Sequence, residues 1–271
     1  MSSLESAAEI QRAEMPEQSL TERLGDSRTV QIGLVLGTLA AVIVVWHLGV
    51  LLLDVREFVL PSPLAVGRSL IDSWGLLLPH AYITLQETIY GFVIAVLVGV
   101  PLAAGIAMSP LIERVVNPLL VLSNAVPKIA LAPLFLAWFG LDSTPRVLIA
   151  ALLAIFPVVI NTVVGLVEIE PGLILLARST RAGQRRTFWR VRFPAALPNI
   201  MSGMKLGITL SLTGAVVGQF LGGNGGLGYV ITNAQGNLQL DVAFASIVLL
   251  SVMGIALFYL VEFVEKMMIR K

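Results

Sequence analysis

The sequence predicts an all-α integral membrane protein with six transmembrane helices, and three observations predict it. Only 13% of the 271 residues are charged, about half the share of ~25% usual in soluble chains, and mean hydropathy is +0.88. Six apolar segments are separated by polar or proline-rich stretches. Lys and Arg fall almost entirely on one side of the resulting topology. The bilayer is the natural solvent for such a chain. A net charge of +1 gives no reason to expect a nucleic-acid partner. The absence of cysteine excludes disulfides, thiolate metal sites and thiol catalysis. The two histidines, His47 and His80, are too few for a histidine-based metal site without carboxylate help. No catalytic residue, no metal ligand and no cofactor bound by this chain is expected.

Residues 1–29 carry six acids against three arginines, lack the cationic start and cleavage site of a secretory signal, and read as a flexible cytoplasmic tail. The first span is Val30 to Leu53, close to the ~20 apolar residues that cross the hydrocarbon core. "LPSPLAVGRSLIDSWG" (Leu60 to Gly75) follows. Ser62 can cap a helix with Pro63 in its first turn and Leu64, Leu70, Ile71 and Trp74 on an apolar side, too short to span and so placed at the membrane interface. Residues 30–75 therefore form a first span plus interfacial helix, and 76–266 the main transmembrane domain.

The second span is Thr88 to Met108, beginning near His80. The third, Val115 to Gly140, is interrupted by Pro118, Pro127, Lys128 and Pro133. Broken helices in lipid are tolerated only where protein or a water-filled cavity surrounds them, so this segment belongs in the bundle interior. Val147 to Val167, with Pro157 inside, is the fourth span, Ile200 to Leu221 the fifth and Val242 to Phe263 the sixth. With six spans both termini share a side. That side holds thirteen Lys and Arg, against Arg56, Arg68 and Arg146 on the other. The positive-inside rule makes both termini cytoplasmic.

The segment between spans four and five, "EIEPGLILLARSTRAGQRRTFWRVRFPAALP", carries six arginines. Pro171 can open a short helix with Leu173, Ile174, Leu176 and Ala177; Gly183 marks a break; Thr187 to Val191 can form a second helix; Pro194 and Pro198 turn the chain back into the membrane. The positive-inside rule alone accounts for the charge, but not for Leu173, Leu176, Phe188 and Trp189 at helical spacing. The mixed character is that of a docking element.

This segment resembles the cytoplasmic coupling loop of the permease subunits of ATP-binding-cassette (ABC) importers, with "FPAALPNIMSGMKLG" (Phe193 to Gly207) and "ARS" (Ala177 to Ser179) as the matching parts. The usual acid and glycine of that loop fall on Leu175 and Arg181, and Gly183 replaces the glycine only with a slip of two. "LPSPLAV", "AVPKIALAPLFLAWFGL" (Ala125 to Leu141) and "GAVVGQFLGGNGGLGYVI" (Gly214 to Ile231), where the family often has an acid in place of Gln219, resemble the branch for nitrate, sulfonates, taurine and thiamine-pyrimidine precursors. The likeness runs from about Leu60 to the C-terminus.

The resemblance implies a type I importer transmembrane domain and a transport subunit in the inner membrane, not an enzyme. Its implied partners are a dimer of ABC ATPase subunits that use ATP and Mg, an extracytoplasmic solute-binding protein and a second copy of the permease. It implies coupling through Leu173 to Gly183 and Gln184 to Arg192, with Leu176 and Ala177 filling a groove on the ATPase and Arg178, Arg181 and Arg185 complementing its charge. Ser179, Thr180, Ala182 and Phe188 lie in the same elements. The branch it resembles implies a small anion or polar organic as solute: nitrate, a sulfonate, taurine, a pyrimidine precursor or an aromatic carboxylate.

No G-x-x-x-x-G-K-[ST] loop is present, and "GGNGGLG" (Gly222 to Gly228) reads as a tight outer loop before span six rather than a nucleotide site. Lys128, near Asn124, either offers passing attraction to an anionic solute or pairs with a carbonyl freed by the prolines, and the structural reading is preferred. Lys205 is expected to snorkel, and Glu87 to make an interface or inter-helix contact. Asn161 and Gln219 line the path or act as packing glue. An ATP-independent secondary transporter is the alternative. It needs several intramembrane carboxylates or an inverted repeat, and Glu87 is the sole candidate within a span.

Overall fold

A computed structural model of the chain describes residues 28–269 except 110, 113, 117, 119–121, 123–125 and 180–182. The proposed tail at 1–29 lies almost wholly outside the described residues. The chain divides into two units, Met1–Arg56 and Glu57–Lys271. The first contributes α1, Arg28–Leu52, a 25-residue helix with no charged residue after its start. It is long enough to cross a bilayer at ~1.5 Å per residue.

The second unit begins with α2, Pro63–Asp72. Its N-terminus is built as the sequence indicates: the Ala65 N–H donates to Ser62 Oγ at 3.2 Å, with Pro63 in the first turn. Val66 and Ser69 are buried, while Leu64 and Ile71 face outward. α3, Trp74–Ala107, starts well before the expected His80 and runs on through two internal prolines, Pro79 and Pro101. The third segment is broken. Pro127 is non-helical (ψ 87°), a 3-10 turn follows at Lys128–Leu131, and α4 is only Ala132–Phe139. Among the described residues five helices are long and apolar enough to cross a membrane, beside this shorter one, where six spans were expected.

α5 is Ser143–Val167, α6 Pro171–Ser179 and α7 Gln184–Thr187. α7 runs without a turn through a π-helical stretch, Phe188–Arg192, into α8, Phe193–Leu221. Pro194 and Pro198 thus sit inside one long helical run, a correction to the expected turn. Pro194 has no N–H to give, and the preceding frame widens so that the Phe193 N–H bonds back to the Phe188 carbonyl, five residues earlier. α9, Leu227–Gly236, replaces what looked like loop alone, and α10, Leu240–Ile269, completes the unit. No strand occurs among the described residues.

α5 is the centre of the unit, packed between α3 and α8. The α5–α8 contact is backbone against backbone. A Cβ on Gly214 would lie 2.6 Å from Ala150 Cα and 2.9 Å from the Ile149 carbonyl; one on Gly203 would lie 2.9 Å from the Pro157 carbonyl. Gly207 and Gly218 continue the same stripe. Small residues at this spacing let helices approach closely where the hydrophobic effect supplies no drive between them. Ser211 on the same stripe donates its hydroxyl to the Thr88 carbonyl of α3 at 2.8 Å.

Gly214→Val is expected to cost about 3 kcal/mol by forcing α5 and α8 apart. Gly105→Ala, with no atom within 4 Å of the added carbon, is expected to be neutral or slightly stabilising. Thermal melts of the purified protein in detergent separate the two.

Candidate functional site

Three constellations stand out. The first lies at the glycine-loop end of the bundle. Glu87 on α3 and Arg146 on α5 form an ion pair, Oε1 to Nη1 at 3.2 Å, with side chains 3% and 5% exposed. Gln219 on α8 donates Nε2 to Glu87 Oε2 at 2.7 Å. Arg146 also donates Nη1 to the Gly225 carbonyl at 3.0 Å and Nε to the Asp142 carbonyl at 3.1 Å. Two backbone carbonyls and the Gln219 amide supply further partners to the buried pair, while Glu87 Oε1 makes the ion-pair contact without a hydrogen bond of its own.

The same groups cap α9. Gly226 has no side chain to cap with, and its φ of +96° suits glycine. The three N–H groups at the start of α9 are taken by other helices instead. Gly226 donates to His80 Nδ1 at 3.0 Å, Leu227 to Thr84 Oγ1 at 2.8 Å and Gly228 to Gln219 Oε1 at 2.9 Å. A Cβ on Gly226 would overlap the Gln219 amide. Glu87 is thus an inter-helix contact, as expected. Gln219, expected along the path or as packing glue, is buried in this network. Arg146 was legible only as a loop charge, although Thr84 and Glu87 on one side of α3 were a signal for an inward polar face.

The second constellation is a cleft of about 430 Å³ between the 3-10 turn and α5, with Leu210 from α8 on its wall. It brings together two of the expected path residues, Lys128 and Asn161. Lys128 Nζ sits 4.3 Å from the centroid of the Phe156 ring. Asn161 Nδ2 donates to the Pro157 carbonyl at 2.9 Å. Asn124 lies outside the described residues.

The third is the arginine segment. Leu173 and Leu175 on α6 are 39% and 64% exposed, and Ser179, Gly183, Arg185, Arg186 and Arg190 are exposed. Thr180, Arg181 and Ala182 lie outside the described residues, as do the side chains of Leu176 and Arg178. Two expected coupling residues face inward. Ala177 is buried, and so is Phe188, which packs with Ala107, Leu166, Ala196 and Ile200 at the ends of α3, α5 and α8. They anchor the segment and offer no surface to a groove. Trp189 remains exposed, its ring edge-on to Phe188 at 5.4 Å and 5.4 Å from Phe193. Lys205, expected to snorkel, is held by Glu265 of α10 at 2.7 Å. Among the described residues no cluster of His, Asp or Glu is placed to hold a metal ion.

Arg146→Met leaves Glu87 charged and buried, and is expected to cost about 3–5 kcal/mol. Glu87→Met with Arg146→Met is expected to be less damaging than Arg146→Met alone. Melting temperatures of the two proteins in detergent test this order.

A family profile described as the binding-protein-dependent transport system inner membrane component matches residues 70–270. The riboflavin transport system permease protein RibX of Chloroflexus aurantiacus is 35% identical over 86% of this chain and 88% of its own. The formylaminopyrimidine transport permease protein ThiX of Halalkalibacterium halodurans is 32% identical over 83% and 90%. The putative aliphatic sulfonates transport permease protein SsuC of Bacillus subtilis is 33% identical over 79% of each chain. Among solved structures, a chain of the methionine ABC transporter MetNI shares the fold with a TM-score of 0.61 and 20% identity, covering 73% of this chain and 97% of that one. The chain therefore belongs to the family of binding-protein-dependent transport inner membrane components, the permease subunits of ABC importers, and is a transport subunit rather than an enzyme.

Proposed function

We propose that this chain forms the membrane path of an ATP-driven importer for a small anionic or polar solute delivered by an extracytoplasmic binding protein. The observation that carries the reading is the arginine segment. It exposes Leu173, Leu175, Trp189 and Arg185 while Phe188 locks its base onto the ends of three spanning helices. A push on that surface is transmitted to the bundle instead of being lost in a loop. The segment is the coupling element, and a dimer of separate ATPase subunits, using ATP and Mg, is its partner. Both termini and this segment are cytoplasmic, in keeping with the arginine distribution.

The path lies between two copies of the permease, related by two-fold symmetry. On this reading residues 76–266 are the transport module, 30–75 an added span with its interfacial helix, and 1–29 a cytoplasmic tail. Relatives named for riboflavin, formylaminopyrimidine and sulfonates support a small polar organic or anionic solute. An ion-driven mechanism is disfavoured because Glu87 is committed to Arg146 and Gln219.

The cysteine-free chain makes the test direct. With Leu175→Cys, a bifunctional crosslinker in the native host is expected to capture a protein bearing a phosphate loop, identified by mass spectrometry. Val98→Cys, on the exposed membrane face of α3, is expected to capture none. A well-expressed Leu175→Cys protein that captures no ATPase would overturn the coupling assignment.

A further inference from the structure

We infer that His80 is an acid-released latch on the glycine loop: its neutral imidazole holds the start of α9, and its imidazolium lets go. The inference stands apart from the importer reading, because it rests on hydrogen bonds within the chain.

The loop between α8 and α9, Gly222 to Gly226, is four glycines and Asn224. Glycine has little intrinsic preference for one backbone conformation, so contacts from other helices hold the loop in place. Arg146 Nη1 donates to the Gly225 carbonyl at 3.0 Å, and the Gly226 N–H donates to His80 Nδ1 at 3.0 Å. Three bonds take up the first N–H groups of α9. Two of them end on the Thr84 hydroxyl and the Gln219 amide oxygen, which do not titrate. The third ends on an imidazole nitrogen, whose power to accept depends on pH.

The donor fixes the tautomer. A backbone N–H only donates, so Nδ1 is bare and the ring proton of neutral His80 sits on Nε2. A second proton goes to Nδ1, and two N–H groups then face each other. The bond is lost, and the partial positive charge at the start of a helix adds to the repulsion. The latched state excludes a proton that the released state accepts, so acid favours release and base favours the latch. Imidazole ordinarily titrates between about pH 5 and 8. His80 is half-buried on the wall of a cleft of about 330 Å³, so protons reach it without unfolding.

The surrounding groups offer the imidazolium no carboxylate. From α9 come the Tyr229 ring, 5.8 Å away between centroids, and Asn233. Asn224 of the loop and Gln239 and Val242 at the start of α10 are uncharged. Asp241 of α10, and Arg68 and Asp72 of α2, are not among the residues lining the cleft. Glu87, further along α3, is bound to Arg146 and Gln219, and Arg146 brings a positive charge to the residue beside Gly226. Acidification on this side of the protein therefore loosens the loop and the first turn of α9, while the Arg146 and Gln219 anchors stay.

The test uses the full chain in lipid nanodiscs. The chain has two histidines, so in a His47→Gln protein every imidazole signal belongs to His80. Nitrogen-15 NMR is expected to show the Nε2-protonated tautomer at about pH 8 and imidazolium at about pH 5. Hydrogen exchange of the peptide containing Gly226 and Leu227, corrected for the intrinsic effect of pH, is expected to quicken about tenfold over the same interval. His80→Asn keeps a non-titrating oxygen near the position of Nδ1 and is expected to hold exchange slow at both pH values. His80→Ala is expected to make it fast at both. Unchanged exchange in a peptide from the centre of α5 shows that each variant keeps its fold. The Nδ1-protonated tautomer at about pH 8, or a ring still neutral at about pH 5, would overturn the latch. So would protonation without faster exchange, or an acid response of the same size in His80→Asn, which would assign the loosening to another group.

Discussion

The close approach of α5 and α8 is the constraint on which the rest of this molecule depends. At Gly214 and Gly203 the two backbones are too near for a methyl group, and this nearness sets where everything attached to the two helices lies. It brings Gln219 within reach of Glu87, carries Arg146 under the glycine loop, and aligns Ala196 and Ile200 with Leu166 so that Phe188 has a socket. In hydrocarbon, water contributes little to holding helices together, so the contact relies on packing and on a few inter-helix hydrogen bonds such as Ser211 to the Thr88 carbonyl. A stripe of glycines serves this better than large apolar residues would.

The two ends of the α3–α5–α8 unit are finished differently. At the glycine-loop end the joints are polar and buried: an ion pair, an amide, a hydroxyl and a histidine ring hold the start of α9. At the arginine end the joint is one aromatic side chain in an apolar socket, surrounded by exposed cations. The first arrangement fixes geometry; the second fixes a lever while leaving its outer surface free for a partner. The cleft beside Lys128 lies where the third apolar segment is broken at Pro127.

Much of this was legible in the sequence. Long apolar runs gave the spans, Pro127 and Pro133 the break in the third, and Ser62-Pro63 the start of α2. The stripe Gly203, Gly207, Gly214 and Gly218 was there to be read as a packing face. Leu227, Val230, Ile231 and Ala234 have the spacing of α9's buried side, though the glycines before them suggested loop. What was not legible is pairing across the fold. Glu87 with Arg146, and Lys205 with Glu265, join residues far apart in the chain. The inward direction of Ala177 and Phe188 was hidden as well, because apolar residues on a coupling segment serve a partner or the bundle equally well by pattern. Pro194 misled for a physical reason, since the π-helical stretch just before it lets the helix run on, and Pro198 sits inside the same helix.

The account holds that force applied at the arginine segment reaches the glycine loop through one rigid body. Spin labels at Leu175 and Asn224 in the same chain, diluted among unlabelled copies and reconstituted with the ATPase, measure this directly by electron–electron distance. Rigid-body rocking predicts the same distance distribution with and without ATP, within about 2 Å. A shift of about 5 Å or more on ATP binding would show that the unit deforms internally, and would contradict the claim that the α5–α8 contact carries the motion.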